Sequence, residues 1–338
     1  MSKHSKSARA SAGVFASQNR PLTLALQGGG AHGAFTWGVL DRLLEDERLS
    51  FTRISGVSAG AINAALMADG FAQGGREGAR RVLTQFWRAI SSQMGGMNPM
   101  MPNLGSVYGA WMDLTPMPYW IDAMTQVFSP YQFNPFNLNP LRDVLANTLS
   151  LSNVRHSPLK IIIGATDVQN GHLTLFSNDD ISLDVLLASA CLPHVHQAVE
   201  VGGASYWDGG FVANPPLKPL VDGKTDILLV RVTPVVRAGV PTNPRDILDR
   251  MGELTFNAAL ARSLSALEGK PGIFLHGIDA DDHLATLPPR TKYTAEWAFL
   301  SELRNLGRQK ADRWLADEFL SLGHAATLDL APWEGMLA

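Results

Sequence analysis

The residues best suited to chemistry stand in two glycine-framed runs near the start of the chain. One is Gln27-Gly28-Gly29-Gly30-Ala31-His32-Gly33, and the other is Gly56-Val57-Ser58-Ala59-Gly60. In the second, a serine is flanked by glycines two positions before and two after. Gly-x-Ser-x-Gly between a strand and a helix is a nucleophile elbow, a turn too tight for bulk at the flanking positions. The first run offers successive backbone N–H groups that could hold an oxyanion. A nucleophile and an oxyanion cradle on adjacent strand ends make an acyl-transfer site. The chain therefore reads as a serine hydrolase, with Ser58 as nucleophile, an elbow of Gly56, Val57, Ala59 and Gly60, and an oxyanion loop of Gly28, Gly29, Gly30, Ala31, His32 and Gly33.

The glycine loop has a rival reading. Gly28, Gly30 and Gly33 also satisfy Gly-x-Gly-x-x-Gly, the dinucleotide fingerprint. That fingerprint expects a ribose-binding acid at the tip of the second strand. Here the second strand runs into Gly56-Val57-Ser58, and Glu45, Asp46 and Glu47 come too early. The serine also needs a proton acceptor. His276 and His283 come late enough for the Ser, acid, His order of α/β-hydrolases. Asp208-Gly209-Gly210 is the other candidate, an acid followed by two glycines that allow close backbone approach. His194 and His196 form His-x-His; as metal ligands they would need a carboxylate or third His placed by the fold, so they read as structural or pocket-lining residues.

These residues need strands and helices to position them. Thr23–Gln27 reads as a buried strand and Ala34–Asp46 as a helix with apolar residues at helical spacing. Arg53–Val57 is a second strand, and Ala59–Asp69 an Ala-rich helix that Gly70 should end. Gly75–Ile90 reads as another helix. Later strands are expected at Lys160–Thr166, His172–Phe176, Ala204–Trp207, Asp226–Val232 and Gly272–Leu275. Helices are expected at Ser182–Ala190, Arg245–Leu267 and Ala295–Leu322, with Asn139-Pro140 and Asn243-Pro244 as helix starts. Strands alternating with helices imply an α/β fold with a mainly parallel sheet covered on both faces.

Composition narrows the function classes. The chain has 338 residues, 46% hydrophobic and 17% charged, enough for a large core. A net charge of −3 argues against a nucleic-acid surface. Cys191 is the single cysteine, so neither an internal disulfide nor a cysteine metal cluster is expected. Residues 1–20 are polar and carry no apolar signal segment, so they read as a flexible tail of a cytoplasmic protein. Residues 21–330 read as one domain. Residues 89–141 stand apart within it: two charged side chains, seven of the eleven methionines and many aromatics. This insertion reads either as an apolar flap for acyl chains or as core or subunit contact.

Four blocks together give the chain a family likeness. Gly28–Gly33, Gly56–Gly60, Ala188-Ser189-Ala190-Cys191-Leu192-Pro193 and Asp208-Gly209-Gly210 occur in the order found in the patatin-like phospholipases, which this sequence resembles. Thr166-Asp167 before a strand is similar too. The resemblance implies a three-layer patatin-like fold with a central, mostly parallel sheet flanked by helices. It implies a Ser–Asp dyad without histidine, with Ser58 as nucleophile, Asp208 as base, Gly209 and Gly210 in its loop, and the N–H groups of Gly29 and Gly30 on the oxyanion. No cofactor or metal is implied. The expected substrate is an acyl lipid, met through peripheral membrane contact. A free carboxyl has a pKa near 3.9 and is a poor base unless an apolar pocket raises it. Many members carry Arg or Lys where His32 stands, which leaves a preference for anionic lipid open. An acyltransferase, or a lipid-binding module with little turnover, fits the same blocks.

Overall fold

The computed structural model describes residues 19–94 and 128–337. Nearly all of the polar tail and most of the Met-rich insertion, including Met100, Met101 and Trp111, lie outside the described residues.

The core strand is β1 (Arg20–Leu26), whose side chains from Leu22 onward are buried. Burial on both faces is what a central parallel strand requires. It pairs in parallel with β2 (Leu49–Gly56) on one edge and β7 (Thr225–Arg231) on the other. The remaining strands are β3 (Lys160–Asp167), β4 (Leu173–Ser177), β5 (Val199–Val201), β6 (Ala204–Asp208) and β8 (Ile273–Asp279). The eight-stranded sheet runs β5-β6-β3-β2-β1-β7-β8, with β4 also on β3. Pairs among β3, β2, β1, β7 and β8 are parallel, whereas β4, β5 and β6 join antiparallel. The order reverses beside β1, so the loop after β1 lies at a topological switch point, where open α/β sheets bind ligands.

One edge of β3 sets up the site. Its first half pairs with β2, ending at Gly56↔Ile163. Beyond that point β6 takes the same edge, starting at Ala165↔Asp208, because β4 holds the other. The end of β6 is thus laid just past the end of β2.

Three layers form as the alternation of β1 and β7 demands. Leu24, Leu26, Leu228 and Val230 face a large core covered by α1 (Gly33–Leu43), α2 (Ala59–Met94) and α6 (Trp297–Asp317). Ala25, Ile227 and Leu229 face a smaller core with Leu260, Leu264 and Trp333, covered by α5 (Pro244–Ser265). Two shorter helices, α3 (Pro140–Thr148) and α4 (Leu183–Ser189), complete the main set. Each buried Leu contributes about 1.5–3 kcal/mol. The Asn-Pro starts are in place: Asn139 accepts from Leu141 N–H and Asn243 from Asp246 N–H.

The segments after the site are built into this body. Helices α1 and α6 touch backbone to backbone: a Cβ at Gly38 would lie 2.0 Å from the Arg304 carbonyl oxygen. Asp41 on α1 is buried and accepts from Arg80, Arg304 and Arg308 at 2.8, 2.6 and 2.5 Å, tying α1 to α2 and α6.

One expectation is corrected. Gly70 does not end a helix. The helix runs on and breaks at Gly74 and Gly75, where Gly75 takes φ 61°. Gly70 is instead the crossing point of the two arms of α2, since a Cβ there would lie 2.3 Å from Ala79 Cα.

Candidate active site

The two glycine runs are packed into each other. A Cβ on Gly28 would lie 2.8 Å from Ser58 Cβ, and one on Gly33 would lie 2.7 Å from Ala59 Cβ. Gly60 fits under the Leu26 carbonyl oxygen, 2.1 Å from where its Cβ would be. Ser58 itself takes φ 53°, a left-handed conformation that costs a non-glycine residue on the order of 1–3 kcal/mol. Its N–H is held by Ser189 Oγ at 2.9 Å, and Ser189 Oγ–H donates to the Gly164 carbonyl at 2.8 Å. The Ser of the third block therefore braces the elbow from α4. The start of α2 follows at once, so the positive end of a helix dipole points at the Ser58 hydroxyl.

Asp208 arrives from β6 and is 1% exposed, against 8% for Ser58. Its backbone N–H donates to the Cys191 carbonyl at 2.9 Å, and Thr166 Oγ–H donates to its carbonyl at 2.8 Å. Oδ1 accepts from Gly210 N–H at 2.8 Å. Oδ2 is buried and completes no hydrogen bond among the described residues. Burial pushes the Asp208 carboxyl up to about 7, opposed by Gly210 N–H, the Ser58 hydroxyl and the charge of Lys292. The Ser58 hydroxyl thus faces a carboxyl with an open oxygen, and such contacts tighten when substrate binds. Gly209 allows the approach: its Cβ would lie 2.3 Å from the Gly164 carbonyl oxygen.

The N–H groups of the glycine loop divide by their hydrogen bonding. Gly28 N–H is already given to Asn214 Oδ1 at 2.8 Å, and His32 N–H to the Gly29 carbonyl at 3.2 Å. The N–H groups of Gly29 and Gly30 have no partner among the described hydrogen bonds. Gly30 needs φ 58°, and a Cβ there would meet the Lys292 carbonyl oxygen at 2.4 Å. Gln27 Oε1 accepts from Val232 and Thr233 N–H at 2.8 and 2.9 Å, fixing the loop root to the end of β7. Of the six loop residues, Gly28, His32 and Gly33 have their N–H groups engaged, while that of Ala31, like those of Gly29 and Gly30, has no partner among the described hydrogen bonds.

His32 is neutral. Burial first, then the charges of Arg237 and Lys292, lower it to about 3. Its Nε2 lies 2.9 Å from Thr291 Oγ1. The cation near the loop is Lys292, whose ammonium Asp249 holds at 2.5 Å. Tyr293 and Asp249 raise its pKa against the opposing effect of burial. Sequence reasoning missed Lys292, Asn214 and Ser189 as supports. Ser189 lay in a run already singled out and Asn214 follows Asp208-Gly209-Gly210 four residues on, but nothing in the sequence marks Lys292.

The two histidine rivals are elsewhere. His276 is fully buried near the amino end of β7, with Nε2 3.0 Å from Asp226 Oδ1 and Nδ1 2.8 Å from Thr327 Oγ1. His283 is half-buried, with its Nε2 3.6 Å from Glu302 Oε1. A cavity of about 280 Å³ opens beside the loop, lined by Gly29, Leu192, Phe211, Met251, Phe256 and Lys292 among others. His194 lines it as well, its Nε2 3.2 Å from the Tyr293 hydroxyl. A larger depression of about 480 Å³ lies at the amino ends of the strands, among Thr23, Arg53 and Lys160, away from any nucleophile.

An α/β sheet with an elbow serine and an aspartate at its carboxyl end defines a serine-hydrolase-like class. The family model described as patatin-like phospholipase matches residues 24–221, and the chain belongs to that family, whose members are typically lipid acyl hydrolases. No curated protein matches the chain. Among solved structures it is similar to VipD from Legionella pneumophila at 14% identity and TM-score 0.38, covering 86% of this chain and 67% of VipD. It is also similar to ExoU in the ExoU–SpcU complex of Pseudomonas aeruginosa, at 17% identity and TM-score 0.35, covering 95% of this chain and 57% of that one. The chain thus spans little more than half of the ExoU chain. Among the described residues, no helix is long and apolar enough to cross a membrane.

Proposed function

We propose that this protein is a serine acyl hydrolase of the phospholipase A or lipid esterase type, working through a Ser58–Asp208 dyad. The observation that carries the reading is the open Oδ2 of Asp208, buried beside the Ser58 hydroxyl, with the unengaged N–H groups of Gly29 and Gly30 on the adjacent loop. Ser58 Oγ attacks the ester carbonyl carbon while its proton passes to Asp208. The carbonyl oxygen becomes an oxyanion held by the two N–H groups, each worth about 3 kcal/mol in the transition state. Collapse breaks the ester bond, and the leaving alcohol takes the proton from Asp208. Water then attacks the acyl-enzyme, gives its proton to Asp208, and the fatty acid leaves as Ser58 recovers a proton. A pKa near 7 suits Asp208 to this exchange, since it is ionised in part at neutral pH yet basic enough to accept.

The deciding experiment is hydrolysis of a lipid panel by wild type beside Ser58→Ala, with fluorophosphonate labelling of both. Wild type should release fatty acid and take one label at Ser58, and Ser58→Ala should do neither. A variant that still cleaves at the wild-type rate places the nucleophile elsewhere. Release of acylated product in place of acid, on adding an acceptor alcohol, makes the protein an acyltransferase.

A further inference from the structure

The first half of α5 is amphipathic in reverse. Its inward face carries Asp249, Glu253 and Asn257, all buried. Asp249 holds Lys292, Glu253 accepts from Arg237 through three bonds of 2.9, 2.8 and 2.7 Å, and Asn257 Nδ2–H donates to the Pro234 carbonyl at 2.9 Å. Its outward face carries Ile247, Leu248, Met251 and Leu254, all exposed, Met251 by 57%. Those positions follow i, i+1, i+4 and i+7, one stripe of a helix. Val236 and Val240 extend it along the lead-in loop, Val240 being 85% exposed. A surface helix ordinarily turns its apolar stripe inward. Single exposed apolar residues are common, but a contiguous run of them marks a contact surface.

Two features indicate what covers it. Leu248 and Met251 belong both to the stripe and to the wall of the cavity that reaches Gly29, so the surface is continuous with a cavity at the glycine loop. The described charges of this half-helix are engaged: Arg250 Nη1 pairs with Glu253 at 3.0 Å, Asp249 holds Lys292, and Asp246 accepts from Asn243 Nδ2–H at 2.5 Å. The stripe also has no aromatic anchor of the kind that centres protein interfaces. An uncharged aliphatic face suits hydrocarbon. We infer that this stripe is the face on which the protein docks to a lipid surface, with the mouth of the cavity held against the acyl chains. The choice of a lipid over a protein rests on the acyl-hydrolase reading. Docking by apolar insertion places a helix face about 5–10 Å into the headgroup boundary, and an ester can then enter beside Met251 without crossing water.

The test is sedimentation of the full chain with phosphatidylcholine vesicles, at low and raised salt. It compares wild type, Ser58→Ala, and a triple variant Val240→Ser, Ile247→Ser, Leu254→Ser, whose positions lie off the cavity wall. Wild type and Ser58→Ala should bind equally and independently of salt. The triple variant should lose binding by about tenfold or more, with unchanged melting temperature and unchanged hydrolysis of a short soluble ester. Undiminished binding of the triple variant, or no binding by wild type, overturns the inference. A change of solution mass without a change of vesicle binding makes the stripe a contact between copies. Loss of hydrolysis in Ser58→Ala tests the acyl-hydrolase reading separately, because it is independent of vesicle binding.

Discussion

Two buried aspartates sit at opposite ends of the same sheet, and they differ in what their oxygens do. Asp226, near the amino end of β7, has its Oδ1 filled by His276 Nε2 and by Gly323 N–H at 2.7 Å. His276 is in turn fixed by Thr327, which donates to Glu318. By its list of residue types this cluster resembles a hydroxyl–His–Asp triad. Yet each side chain in that chain has a hydrogen-bond partner, and neither oxygen of Asp226 is among the buried polar atoms left without one. Asp208, at the carboxyl end, keeps one oxygen open beside a hydroxyl and is raised to about 7 by burial. A closed polar network stabilises a fold, and an open one in a native structure marks stored reactivity.

The largest effect should separate the two ends. Asp208→Asn preserves shape and removes the base, so kcat/KM should fall by on the order of 10² or more with the fold retained. His276→Ala should do the reverse. It leaves Asp226 and Thr327 each short of a partner, at about 1–3 kcal/mol per buried group, while the folded fraction keeps its specific activity. Calorimetry beside a p-nitrophenyl ester assay reads both, and a collapse of specific activity in His276→Ala alone would restore the triad.

The pH dependence sharpens the same contrast. Asp208 must be ionised to accept a proton, so wild-type kcat/KM should climb with pH and level off above about 7. A flat profile through that range means another group is the base. Its stability counterpart is smaller. The folded pKa of about 7 lies above the ordinary 3.8, so the folded state holds a proton that the unfolded chain releases. The contribution of Asp208 therefore becomes less favourable as pH rises from 3.8 to about 7 and is constant beyond. Asp208→Asn should gain melting temperature over wild type across that window.

The smallest effect concerns the neighbour of Asp208. The Cys191 thiol is buried and pushed up to about 12, by burial first and by the Asp208 charge second. Iodoacetamide at pH 8 should leave native protein unmodified and modify the denatured chain fully. Rapid labelling of native protein, followed by mass spectrometry, would show that the floor of the site opens to solvent.

Much of this was legible because it is local. Gly-x-Ser-x-Gly demands small flanks wherever a strand turns sharply into a helix, and Asn-Pro starts a helix through its own side chain and ring. The miss at Gly70 arose because a glycine that ends a helix and one that admits a second helix look the same in sequence. Only the approach of Ala79 separates them. His32 had an open protonation state in the sequence, and its neutrality follows from burial near Arg237 and Lys292, more than 200 residues away.

The sequence by itself determined the strand–helix alternation, the two glycine runs and the acid followed by two glycines, since each is written in neighbouring residues. Tertiary structure decided which of those groups meet. The edge of β3 passes from β2 to β6 and so lays Asp208 beside Ser58. Asn214 takes Gly28 N–H, while those of Gly29 and Gly30 have no partner among the described hydrogen bonds. The carboxylates of α5 turn inward to Lys292 and Arg237, which forces its aliphatic stripe out to the surface. Pairings of this kind depend on distance in space and on burial, and a one-dimensional pattern carries neither.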